Sequence, residues 1–208
     1  MFRTLTIGVG LTLTLLLAAC TQSTAQPAIQ REPSTTTKQV KTSNEPAVQV
    51  SRANFERIQL AVTENDYAST LTQVKALFGK ATRTTETKFP SYEQPLKTYI
   101  WENTTKSLAG ATVTISFHDG LAVAKSYQMA KLATNPRVTT DLVTKLKPGT
   151  TYSQVVTKLG PPNAVNNVAT KHRNIQVLTY NQIKDQPQTA ITLVFHQNEL
   201  AEKTRSAL

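Results

Sequence analysis

The sequence predicts an α+β protein, two tandem helix-helix-antiparallel-sheet modules carried behind an export signal and a disordered tether. Three observations predict it. The hydrophobic period switches from helical to alternating twice along the chain. The two stretches where it switches align with one another, Thr70 to Gly79 against Thr151 to Gly160 and Val113 to His118 against Ile191 to His196, at an offset drifting from 81 to 78. The only long apolar run stands at the N-terminus and stops at Cys20. Composition agrees: of 208 residues, 39% are hydrophobic and only 17% charged, which excludes a charge-driven disordered chain. Thirty-four threonines, β-branched with a polar tip, suit the solvated face of a sheet. One cysteine excludes an intramolecular disulfide, and with three histidines it leaves few routes to structural zinc.

Residues 1–19 have the form of an export signal: Arg3, then an apolar run from Leu5 to Leu17 interrupted only by Thr6, Thr12 and Thr14. The run ends in Leu17, Ala18, Ala19, Cys20, which resembles the lipobox of bacterial lipoproteins. That resemblance implies cleavage before Cys20, lipid attachment to its thiol and acylation of its freed amine. Two or more chains anchor stably, at about 0.8 kcal/mol per buried methylene. The expected localisation is extracytoplasmic, with the membrane held through acyl chains on Cys20, and the mature chain then keeps no free thiol for redox or nucleophilic chemistry. Residues 20–53 continue as a linker rich in Thr, Ser, Gln, Pro and Lys, without aromatics or period. It spans about 30 Å as a relaxed coil.

The first module, residues 54–130, opens at Asn54, a helix-capping residue type, followed by Phe55, Ile58 and Val62 on one helical stripe. A loop through Asn65 and Asp66 leads to a second helix from Ser69 or Thr70, with Leu71, Val74 and Phe78 on one face. Gly79 ends it in a left-handed turn. The period then becomes two, giving strands at Thr98 to Trp101, Thr112 to His118 and Leu121 to Tyr127, the last pair joined by the hairpin signal Asp119-Gly120. The second module, residues 131–208, repeats the pattern with Leu142 and Leu146, then Tyr152, Val155 and Leu159, then Gly160-Pro161-Pro162, where proline forbids helix continuation. Tyr99 and Trp101 match Leu178 and Tyr180, the more consistently large and apolar set, which favours Trp101 and Tyr180 as core, their polar edges near its rim, over an exposed aromatic binding patch.

The stretch Leu146 to Pro162, with its Lys147-Pro148-Gly149 turn and its Leu159-Gly160-Pro161 stop, resembles the opening of each repeat in the β-lactamase inhibitory protein-like (BLIP-like) fold. Lys97 to Trp101 and Val113 to Gly120 look like its strands, so the resemblance covers residues 54 to 208. It implies surface lipoproteins of unknown function, of the kind found in Gram-positive bacteria, and small outer-membrane assembly lipoproteins share the single module. In the first copy Asn65-Asp66-Tyr67 replaces the Pro-Gly turn, and no proline follows Gly79. No residue matches an inhibitory loop, so inhibition of a β-lactamase is not carried over.

No catalytic constellation is legible, and no enzyme, cofactor or metal is expected. His118 and His196 fall at equivalent strand positions, as a shared strand pattern requires without chemistry; His172 stands between Lys171 and Arg173 in a polar stretch; Glu64 and Asp66 suit a helix end and turn. No phosphate-loop glycine pattern occurs. With Val113, Ile115 and Phe117 inward, the other sheet face shows Thr114, Ser116 and His118 and, in the second copy, Thr192, Val194 and His196. These six form the candidate binding face, because the related inhibitor binds through such a surface. Net charge is +2 for the tether, +1 for the first module and +6 for the second. The expected partner is a protein, with an anionic envelope polymer as the alternative through the basic second repeat. Nucleic acid is not expected, since no basic stripe alternates with aromatics.

Overall fold

Each helix begins at a hydroxyl. In the computed structural model, which describes residues 48–61, 67–131, 137–170 and 173–208, Ser51, Thr70, Thr139 and Thr151 precede helices α1 (Arg52–Glu56), α2 (Leu71–Phe78), α3 (Thr140–Thr144) and α4 (Tyr152–Leu159), and each side chain accepts from a backbone N–H three residues on. Thr70 with Gln73 and Thr151 with Gln154 close reciprocal capping boxes. The cap of α1 is therefore Ser51; Asn54 lies inside the helix, where its Nδ2 donates to Gln49 O (3.0 Å) and Leu77 O (3.1 Å). Leu142 also departs from expectation: it is 38% exposed, and α3 turns Val143 inward instead. Gly79 and Gly160 end α2 and α4 with positive φ but extended ψ (76°, −160° and 82°, −174°), not the left-handed helical turn. The chain consequently leaves each helix already extended toward a strand.

Eight strands follow in order: β1 (Arg83–Thr87), β2 (Leu96–Trp101), β3 (Thr112–His118), β4 (Leu121–Gln128), β5 (Ala164–Thr170), β6 (Arg173–Tyr180), β7 (Thr189–His196) and β8 (Glu199–Ala207). They make one antiparallel sheet whose spatial order is the sequence order. β4 pairs directly with β5, from Ala124 opposite Val168 to Tyr127 opposite Val165, so the strands of both halves share one ladder. The described residues all fall in one compact unit, and none of their helices is long and apolar enough to cross a membrane. β3–β4 and β7–β8 are tight hairpins whose turns carry positive φ at Asp119, Gly120, Gln197 and Asn198, matching the twist of the flanking strands. Each hairpin carries a register irregularity at the same place, Ser116/Phe117 and Val194/Phe195.

All four helices pack on one face of this sheet. Phe55 of α1 meets Tyr127 edge to face (centroids 5.0 Å), Phe78 of α2 meets Trp101 (5.2 Å), and Tyr152 of α4 meets Phe195 (5.7 Å). Tyr99, Trp101, Leu178 and Tyr180 are buried there, each large side chain contributing about 1.5–3 kcal/mol. Trp101 Nε1 donates to Gly79 O (3.2 Å) and Tyr180 Oη to Gly160 O (3.0 Å), so the polar edges of both rings close the end of a helix. Lys125 also points to this side, in register with Ile115. Its Nζ donates to Phe55 O (3.0 Å) and Ile58 O (2.9 Å) at the end of α1, while Lys203 Nζ donates to Val143, Thr144 and Leu146 O (3.2, 3.1 and 2.8 Å) at the end of α3.

Candidate binding face

Alternation along the strands assigns the opposite face without further assumptions. Register places Leu96, Thr98 and Ile100 of β2 beside Thr114, Ser116 and His118 of β3, then Ser126 and Ala124 of β4, Asn166 and Val168 of β5, Ile175, Val177 and Thr179 of β6, and Thr192, Val194 and His196 of β7. All six sequence-predicted residues lie on this face, but they are not equally accessible. His118 and His196 are exposed, and Thr114, Thr192 and Val194 are half-buried. Ser116 is only 3% exposed, which removes it from any contact surface: its Oγ shares a 2.7 Å hydrogen bond with Thr98 Oγ1, and its register neighbours Thr98 and Ala124 are themselves buried. Thr114 is likewise engaged, with Ser126 Oγ at 2.6 Å.

The two halves of the face differ. In the first, the connection between β1 and β2 reaches across: the Tyr92 ring lies 5.0 Å from that of His118, and its hydroxyl donates to Ala169 O (2.9 Å) on β5. Leu96, Thr98, Ile100 and Ala124 are buried. In the second half Ile175, Val177 and Val194 remain half-buried, with Val168 beside Ile175, on a face that also carries Asn166, Thr179, Thr192 and His196. Between the halves lies a cavity of about 380 Å³, over the ends of β4, β5 and β6, lined by Gln128, Met129, Asn163, Asn166, Val177, Thr179 and Asn181 among others. A depression of about 750 Å³ occupies the helical side instead, between Val48, Arg57, Tyr67 and Leu77. Met129 and Asn163 belong to no hydrophobic period and carry no sequence signal; the positive φ of Met129 after β4 is what marks the place.

Titratable groups with displaced pKa values all have structural causes. Burial pushes the phenols of Tyr127, Tyr152 and Tyr180 up, Tyr127 to about 12, and keeps them neutral donors. Burial also lowers the Lys125 amine, against the opposing pull of Glu56 (3.9 Å). None of these four lies on the open face; Tyr92, which reaches across it, has its phenol raised by burial as well. His118 Nδ1 stands 3.4 Å from Asp119 Oδ2, a pair on the hairpin rim. Among the described residues no three His, Cys, Asp or Glu side chains cluster in a metal-holding arrangement. Cys20, Glu64, Asp66 and His172 lie outside the described residues.

Comparisons with known proteins bear on the fold. The family model of a domain of unknown function with a solved structure, DUF3862, matches residues 48–208. A crystal structure from Streptococcus mutans, provisionally described as a β-lactamase inhibitor protein, is 21% identical; the match covers 74% of this chain and 94% of that one, with a TM-score of 0.62. No curated protein matches. The fold is thus the BLIP-like one that residues 146–162 resemble.

Proposed function

Since the chain belongs to the DUF3862 family, a family of unknown function, we propose that it is an exported, lipid-anchored, non-enzymatic binding protein that presents its open sheet face to a protein partner. The observation that carries this is the half-exposed aliphatic group Ile175, Val177 and Val194 on a face over which none of the described helices lies. An exposed apolar patch of this kind suits contact with another protein. We read the folded region as two modules. The Lys125 and Lys203 hydrogen bonds to helix ends, the Trp101 and Tyr180 bonds to Gly79 and Gly160, and the two capping boxes recur at matching places in both and support that reading. Fold likeness to a suspected inhibitor supports a binding role and no particular target.

A photo-crosslinking residue at Thr192 tests the reading in whole cells. Protein adducts are expected from Thr192 and not from an exposed helical position such as Lys158; equal yields from both, or none from Thr192, would refute it. Salt separates the polymer alternative, since binding by the basic second repeat should weaken steeply between low and physiological ionic strength. For the anchor, radioactive fatty acid should label the wild type and not Cys20→Ser.

A further inference from the structure

Four non-glycine residues among those described have positive φ, and three of them sit in the β3–β4 and β7–β8 hairpin turns. The fourth is Met129 (φ 62°), directly after β4 and 66% exposed. A long apolar side chain is uncommon in that conformation, and it persists where surrounding structure over-determines it. Asn163, 3% exposed, does this. Its backbone carbonyl accepts from Ala130 N (3.0 Å) and its Nδ2 donates to Ala130 O (3.2 Å), gripping the residue after Met129 from both sides. Its Oδ1 accepts from Asn181 N (3.0 Å) and its own N–H donates to Thr179 O (2.9 Å), which ties the same grip to the end of β6. The buried amide thereby holds Met129 on the rim of the 380 Å³ cavity.

Among the described residues no charged side chain lines that cavity. An ionised occupant would lose hydration there with no partner in return. Val177 and Met129 offer apolar contact, while the carboxamides of Gln128, Asn166 and Asn181 each carry both donors and an acceptor, the complement of a peptide group. Among the described lining residues there is no aromatic ring to stack on a sugar face. The volume, at the small end of ligand-pocket sizes, suits a side chain or two and not a polymer repeat. We propose that this cavity is the anchor pocket of the binding face: it receives one uncharged apolar side chain, with its adjoining peptide group, from an exposed loop of the protein partner, and the adaptable Met129 side chain closes against it. This rests on the sheet-face reading above and specifies its partner's chemistry.

The test uses the full-length protein in detergent and fluorescein-labelled, capped heptapeptides that differ only in a central Phe, Leu, Glu or Lys, followed by anisotropy. The Phe or Leu peptide should bind at least about tenfold more tightly than the Glu or Lys peptide, a difference of about 1.4 kcal/mol. Thr179→Arg and, separately, the surface change Met129→Ala should each weaken that binding about as much, with an unchanged thermal midpoint. Equal affinities for the four peptides, or indifference to both substitutions, would overturn the proposal. So would binding of a fluorescein-labelled N-acetylglucosamine tetramer where no peptide binds. If the peptides fail while Thr192 still crosslinks to protein, only the anchor pocket falls; if Thr192 yields no protein adduct either, the sheet-face reading falls with it.

Discussion

Lys125 is an ammonium group in a core, and it is tolerated because its protons have acceptors. Two carbonyls at the end of α1, Phe55 O and Ile58 O, take hydrogen bonds, and the Phe55 ring lies 4.8 Å from Nζ. Helices leave their last carbonyls unsatisfied, and a cation there answers both the hydrogen bonds and the helix dipole. Lys125→Met should lower stability by about 2 kcal/mol in urea titration, since charged hydrogen bonds are lost and buried carbonyls orphaned. Lys203→Met, at a more exposed position, should cost about 1 kcal/mol. An unchanged midpoint in Lys125→Met would mean that these carbonyls have other partners. Tyr127 gives a second residue-scale prediction. Its hydroxyl donates to Pro162 O (3.2 Å), and burial pushes its pKa to about 12. The folded value lies above the ordinary one, so the stabilisation is complete below about pH 10 and is lost as pH rises from there through 12. Tyr152 and Tyr180 act in the same direction. Lys125 acts oppositely, because raising the pH through its lowered pKa relieves the cost of burying its charge. Between pH 10 and 12, absorbance at 295 nm should therefore rise together with loss of circular dichroism, and Tyr127→Phe should remove at most about 3 kcal/mol of that pH dependence.

At the scale of elements, the helix stops are the most demanding positions. Gly160 combines φ 82° with ψ −174°, a region essentially closed to residues with a Cβ, and no heavy atom lies within 4 Å of where a Cβ would stand. Gly160→Ala should thus cost about 1–3 kcal/mol through the backbone alone, measured by chemical denaturation. A cost near zero would show that the helix end relaxes to a left-handed turn. The stops themselves are legible as glycines after an amphipathic run, whereas the Thr-x-x-Gln capping boxes of both long helices emerge from the structure. Helix α1 differs from the sequence expectation at both ends: it starts after Ser51 and stops at Glu56, and Ile58 is buried by a non-helical segment, so the apolar stripe through Phe55 and Ile58 outruns the helix. β1 and β5 were not read at all. Arg-Thr-Thr-Glu-Thr is polar throughout and has no alternation to detect; its pairing to β2 rests on backbone hydrogen bonds. β5, with Asn166 and Asn167 at its centre, hides its period in amides.

At the scale of the molecule, the β4–β5 ladder and the Asn163 grip join the two halves. Unfolding should be a single transition, with Trp101 fluorescence, which reports the first half, coinciding with far-ultraviolet circular dichroism of the whole. Displaced transitions would show that each half unfolds by itself. Asn163→Ala should cost about 1–3 kcal/mol by orphaning buried backbone groups. The candidate face was legible in outline, because alternation alone sorts Thr114, His118, Thr192, Val194 and His196 from the core. It was not legible that Ser116 is closed off, or that Tyr92 spans from His118 to Ala169.

Caps, glycine stops, hairpin turns and alternation are chemistries of neighbouring residues, so the sequence by itself determined the helices α2 and α4, most strands, which side chains face inward and the repetition of the pattern. Only the tertiary structure decided that β4 meets β5 in one sheet, that the first half of the open face is largely closed, and that Asn163 turns Met129 outward beside a neutral cavity. Those outcomes depend on partners tens of residues apart, and such pairings leave no local period from which to infer them.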